Sequence, residues 1–225
     1  MKIIIDGLPD KKLALGVVTA TVKVSTEKNP AVWIELTRLV TEIQTEMPDK
    51  SDTKKIALNP HVKAQRECYQ GLGIKDRLGS AEALLARIVE KKGLPQINNV
   101  VDVNNLVSIV TRHPVGSYDR DRLSGAIRFR PGKKEELYLV IGGKKELKVH
   151  NLPILADDQG PFGGPTSDSE RAMIRTETTR IAMIVFAFGG GGSELPAQLS
   201  RAATLLQQHA AASDIAIETS SAPEM

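Results

Sequence analysis

The densest group of reactive side chains lies late in the chain, between two apolar runs. Residues 154–156 lead into a double acid, Asp157-Asp158. A glycine-rich turn follows, Gly160-Pro161-Phe162-Gly163-Gly164-Pro165, and then a polar cluster, Thr166-Ser167-Asp168-Ser169-Glu170-Arg171. The second apolar run, residues 181–188, closes the stretch. The carboxylates of Asp168 and Glu170 are the types that orient water or accept its proton, and Ser167 adds a hydroxyl. These three are the catalytic candidates. Arg171 is the type that holds an anion, and the glycines let backbone approach a ligand. The same residues also make a good exposed turn, with Asx-type hydrogen bonds and a local Glu170–Arg171 charge pair. Composition leaves both readings open.

The elements around this stretch are read from periodicity. Residues 2–6 form a first strand and residues 15–25 a second, with Val18, Ala20, Val22 and Val24 on one face. Pro30 opens a helix that ends before Pro48, and Asn59-Pro60 opens another that stops at residues 71–73. Ser80 is placed as the N-cap of a helix carrying Leu84, Leu85, Ile88 and Val89. A further helix covers residues 97–110, including Asn104 and Asn105, and His113-Pro114 ends it. Residues 118–123 read as a charged turn. Strands follow at 126–130, 137–141 and 147–149, with a tight turn at Gly142-Gly143. A last helix spans residues 195–208. Helices come early and strands late, so the expected class is α+β, with helices on a mainly antiparallel or mixed sheet. The expected domain is residues 1–212. Residues 213–225 are expected to be a polar, flexible tail, although Ile215 and Ile217 would suit an edge strand.

The chain has 225 residues, 41% hydrophobic and 25% charged, enough for a full core. Its net charge of +3 does not by itself call for nucleic acid, and no DNA partner is expected. With 4% aromatics, a base-stacking platform is not expected. The single cysteine, Cys68, excludes an intrachain disulfide and suits a reducing cytoplasm. No leader peptide and no apolar run of membrane-spanning length is read, so a soluble cytoplasmic protein is expected. Neither a Walker-type phosphate loop nor a G-x-S-x-G elbow occurs. The four histidines, His61, His113, His150 and His209, lack metal-ligand spacing, so neither a metal nor a cofactor is expected.

One ordered set of short motifs is more specific. It comprises Asn99-Val100-Val101-Asp102-Val103-Asn104-Asn105-Leu106-Val107, then Pro114-Val115-Gly116-Ser117-Tyr118-Asp119. Leu155-Ala156-Asp157-Asp158, Gly163-Gly164 and Thr178-Thr179-Arg180-Ile181 follow in that order. The set resembles the central editing domain of the phenylalanyl-tRNA synthetase beta subunit, and more closely its free-standing relatives, over roughly residues 60–190. The resemblance implies an α+β module with a pocket for an aminoacyl ester, walled by Asn104, Asn105, the Tyr118 turn and Gly163-Gly164. Two positions depart from the synthetase pattern. Gly116 takes the place of a histidine, and Ile184 takes the place of an acidic residue that reads a tyrosine hydroxyl. A site that hydrogen-bonds a phenol would not use Ile, so the expected substrate side chain is apolar. A few additional residues, including 167–171, enter between Gly164 and Thr178.

Three functions follow as expectations. The first is hydrolysis of mischarged aminoacyl-tRNA in trans, with Thr166, Arg171 and Ile184 completing the substrate contacts and Arg171 or Arg175 facing the terminal ribose or phosphate. The second is a non-catalytic RNA- or tRNA-binding module using Arg120, Arg122, Arg128, Arg130, Lys133, Lys134, Lys144, Lys145 and Lys148. The third is an amino-acid-binding protein without the chemistry. No aminoacylation site is expected, and the sequence leaves the oligomeric state open.

Overall fold

The apolar run at residues 181–188 is buried on both faces, and the architecture follows from that. The computed structural model describes residues 1–143 and 145–223. In chain order the strands are β1 (Ile3–Ile5), β2 (Ala14–Thr21), β3 (Val115–Asp119), β4 (Ile127–Pro131), β5 (Leu137–Leu139), β6 (Glu146–Lys148), β7 (Pro153–Asp157), β8 (Gly160–Gly163), β9 (Arg180–Ala187) and β10 (Ser213–Ser221). The helices are α1 (Pro30–Glu46), α2 (Thr53–Ile56), α3 (Pro60–Gly71), α4 (Ser80–Val89), α5 (Asn99–Thr111) and α6 (Leu195–Ala210). No helix among the described residues is long and apolar enough to cross a membrane.

The α+β expectation holds. One sheet has the order β10-β2-β9-β3 and is antiparallel throughout. A second has the order β1-β4-β7-β8, with β1 parallel to β4 and the other pairs antiparallel. β5 and β6 form a separate hairpin. Three layers result. Ile181, Met183 and Val185 face the helices, where they pack with Val103, Leu106 and Leu199. Ala182, Ile184 and Phe186 face the second sheet, where they meet Phe129, Leu155 and Phe162. A strand with core on both sides needs no polar alternation, which is why β9 reads as a continuous apolar run.

Several local expectations change. The segment expected to fray is instead the edge strand β10, which pairs with β2 from Ser213 to Ser221. Residues 224 and 225 lie outside the described residues. Tyr118, expected in a charged turn, lies in strand β3, because pairing with β9 supplies an order that Gly116 and Ser117 do not signal by pattern. The first four residues of the glycine-rich turn, Gly160–Gly163, are strand β8, paired with β7. The cap of α4 is Gly79, not Ser80, whose buried hydroxyl has no partner among the described residues. A Cβ at residue 79 would lie 2.0 Å from the Gln65 amide nitrogen, so a side chain there would displace the buried Gln65 amide. Asn29, Asn59 and Asn98 cap α1, α3 and α5 with their side-chain oxygens.

Candidate active site

A cavity of about 590 Å³ opens at the β3 edge of the first sheet. Its walls come from four places: Ile97, Val101 and Asn104 at the start of α5, Ser117 of β3, Ile141 and Gly142 at the hairpin tip, and Asp168, Glu170, Met173 and Ile174. The first turn of α5 is set by Asp102. Its Oδ1 accepts the Ile97 amide at 3.2 Å and its Oδ2 accepts the Trp33 indole N–H at 2.8 Å. Asn104 ties the helix to the strand. Its amide donates to the Val115 carbonyl at 3.2 Å, and its Oδ1 accepts the Ser117 hydroxyl at 3.0 Å. The hairpin is held against the polar loop by the Ile141 amide, which donates to the Asp168 carbonyl at 3.2 Å. Gly143, at φ 66°, brings that tip within 3.1 Å of Glu170 Oε2 for any added Cβ.

Asp168 is the buried carboxylate of the cavity wall. Its Oδ1 accepts the Tyr118 hydroxyl at 2.7 Å and the Gly164 amide at 3.2 Å. Its Oδ2 has no hydrogen-bond partner among the described residues. Burial pushes the carboxyl up to about 6, and the two hydrogen bonds only partly offset that. A carboxylate near neutrality, with one oxygen spent on orientation and one free, fits a general base. Tyr118 itself is fully buried, and burial with the adjacent Asp168 charge holds its phenol protonated, as a donor.

The glycines make this pair possible. A Cβ on Gly163 would lie 2.5 Å from Tyr118 Cε1 and 2.6 Å from Asp168 Oδ1. One on Gly116 would lie 2.3 Å from the Tyr118 hydroxyl. Gly116, the position where the synthetase pattern has a histidine, is therefore covered by the tyrosine ring. Gly163 and Gly164 serve the site by close packing and one amide donor and are not in the cavity wall.

The other expected site residues divide. Glu170 lines the cavity. Asn105 is buried on α5 but does not line it. Ser167 lies outside the lining, and its carbonyl accepts the Tyr138 hydroxyl at 2.6 Å. Thr166 is hydrogen-bonded to the Tyr69 hydroxyl at 2.7 Å, away from the cavity. Ile184 is fully buried between the two sheets, opposite Gly116. Arg171 does not pair with Glu170. It binds both oxygens of Asp157, at 2.9 and 3.1 Å, as well as the carbonyls of Arg122 and Gly160. Arg175 is occupied by the carbonyls of Glu170 and Met173. Of the basic residues, Arg120, Arg122, Arg128, Lys133, Lys134, Lys145 and Lys148 are exposed, and Arg130 is paired with Glu136 at 2.7 Å. Lys144 lies outside the described residues. Sequence reasoning missed Ile97, Val101, Ser117, Ile141, Met173 and Ile174. The Gly142-Gly143 turn beside an apolar residue was the available signal for the hairpin wall.

A family model described as the B3/4 domain matches residues 69–210. The phenylalanine–tRNA ligase beta subunit of Fusobacterium nucleatum is 26% identical over 187 residues, which is 80% of this chain and 22% of that protein. That of Geobacter metallireducens is 32% identical over 108 residues, 47% of this chain and 14% of that protein. The chain thus spans less than a quarter of the length of these relatives. A solved N-terminal fragment of the phenylalanyl-tRNA synthetase beta subunit from Pyrococcus horikoshii aligns with all of this chain and 55% of that one, with TM-score 0.46 and 12% identity.

Proposed function

The chain belongs to the B3/4 domain family, and from that premise we propose that it hydrolyses the ester of mischarged aminoacyl-tRNA in trans. One observation carries the reading: Asp168, its carboxyl raised to about 6, lines a cavity with Asn104, Ser117 and Glu170 on one hand and the apolar Ile97, Val101, Ile141, Met173 and Ile174 on the other. The apolar part takes an apolar aminoacyl side chain. The polar part, with Asp168 and Glu170, takes the ester and the attacking water.

In this reading Asp168 Oδ2 accepts a proton from water as the water oxygen bonds to the ester carbonyl carbon. The bond from that carbon to the ribose oxygen then breaks, and the proton passes from Asp168 to the leaving ribose hydroxyl. The products are the free amino acid and the tRNA. Aminoacyl esters are activated, so positioning of the water supplies much of the rate. Tyr118 and Gly164 hold Asp168 in place. The exposed bases Arg120, Arg122, Arg128, Lys133 and Lys134 supply phosphate contacts.

The test is deacylation of a panel of tRNAs mischarged with apolar amino acids, comparing wild-type protein with Asp168→Asn. The expected outcome is hydrolysis of at least one ester, reduced about 100-fold or more in the variant. Equal rates for the two proteins, or no rate above background on any ester, would overturn the reading.

A further inference from the structure

Three side chains from three separate elements converge near the C-terminal end of α5, away from the cavity. His61 stands in the first turn of α3, His113 follows α5, and Glu194 precedes α6. Far apart in sequence, each offers one ligand atom, and these atoms all lie within 4.8 Å of one another. The two imidazoles are 4.2 Å apart between ring centroids and tilted by 50°. His61 Nε2 lies 3.7 Å from the Glu194 carboxylate. The absence of metal-ligand spacing along the chain is thus overridden by the fold.

His113 supplies a second and independent observation. It is fully buried, and neither Nδ1 nor Nε2 has a hydrogen-bond partner among the described residues. A buried imidazole normally finds a partner, and an orphan of this kind calls for a missing ligand. The ring is also held tightly, since a Cβ on Gly191 would lie 2.7 Å from its Cε1 and 2.8 Å from its Nε2.

We propose that His61, His113 and Glu194 form a binding site for a divalent first-row transition ion, of which zinc best suits two imidazoles and one carboxylate. His61 and Glu194 line a surface cleft that gives an ion access. Two guanidiniums line the same cleft. Arg201 is paired with Glu35, and Arg112 has an amino nitrogen without a partner among the described residues. Asn104 and Thr111 are more than roughly 10 Å apart along the α5 axis at the helical rise. The ion would therefore stand apart from the catalytic cavity, where it would clamp α3, the end of α5 and the start of α6 together.

The probes are Zn²⁺, by calorimetric titration of the metal-stripped full chain, and Co²⁺, by its visible absorption. The expected result is one equivalent bound per chain, with Co²⁺ bands of a tetrahedral or five-coordinate site and a higher thermal midpoint. His61→Ala and Glu194→Gln alter partly exposed side chains and so keep the fold, verified by circular dichroism. Each is expected to weaken binding about tenfold or more. Cys68→Ser, at the other free soft ligand, is expected to leave binding unchanged. Absence of saturable binding would overturn the proposal, as would unchanged affinity in both ligand variants or loss of binding in Cys68→Ser alone. Deacylation by His61→Ala matching wild type is also expected, which separates this site from the catalytic proposal.

Discussion

The Tyr118 hydroxyl donates to Asp168 Oδ1 at 2.7 Å across a space that two glycines, Gly116 and Gly163, leave open. This one bond joins β3 to the polar loop and aims the carboxylate. Residues that the sequence presents as a charged turn, a glycine-rich turn and an acidic cluster therefore act as one unit.

Replacing Asp168 by Asn is expected to abolish deacylation while stabilising the fold. In the folded chain the carboxyl is raised from 3.8 to about 6. A raised acid contributes stability that is fully present below the ordinary value and lost as pH rises through 6. The amide keeps the acceptor for Tyr118 and does not ionise. Its advantage over wild type should therefore grow between about pH 4 and pH 6 and level off above, at up to about 3 kcal/mol. Chemical denaturation of both proteins across that range checks it, and a constant difference would show that Asp168 does not titrate there.

Tyr118→Phe removes a hydrogen bond that favours the ionised carboxylate. The acidic limb of the deacylation pH profile should move above 6, and the rate at pH 6 should fall more than the rate at pH 8. A profile lowered equally at all pH values would mean that Tyr118 only supports the fold.

Gly163→Ala places a methyl group against Tyr118 and Asp168 at once. We expect a loss of about 1–3 kcal/mol by overpacking, with a fall in activity larger than at Gly142, which lines the cavity at the hairpin tip. Gly142→Ala is strained for a different reason, its φ of 99°. Paired urea unfolding and deacylation assays separate the two effects.

Arg171→Met should destabilise the chain by about 3 kcal/mol, because it leaves the fully buried Asp157 carboxylate without its guanidinium. It should leave the salt dependence of tRNA binding unchanged. Arg128→Ala, at an exposed side chain, should do the reverse, reducing the salt slope with little effect on stability. Binding measured at several salt concentrations distinguishes the two roles.

Much of the framework was legible from local pattern. The helix starts at Pro30 and Asn59-Pro60, the apolar helix stripes and the unbroken apolar run of β9 are set by backbone and burial physics within a few residues, and a single chain displays them. Asp168 and Glu170 were legible as residue types. Their partners were not. That Arg171 binds Asp157 and not Glu170 depends on β7 and the Glu170–Ala172 turn meeting in space. That Ile184 faces core and Ser117 faces cavity depends on the pairing register of β3 with β9, where one step exchanges the two faces. The sequence by itself determined the longer helices, the central strand β9 and where polar chemistry collects, because those are short-range properties. Only the tertiary structure decided that Tyr118 aims Asp168 and that His61, His113 and Glu194 meet. Such contacts join residues tens of positions apart, and only packing of the layers brings them within hydrogen-bonding or coordinating reach.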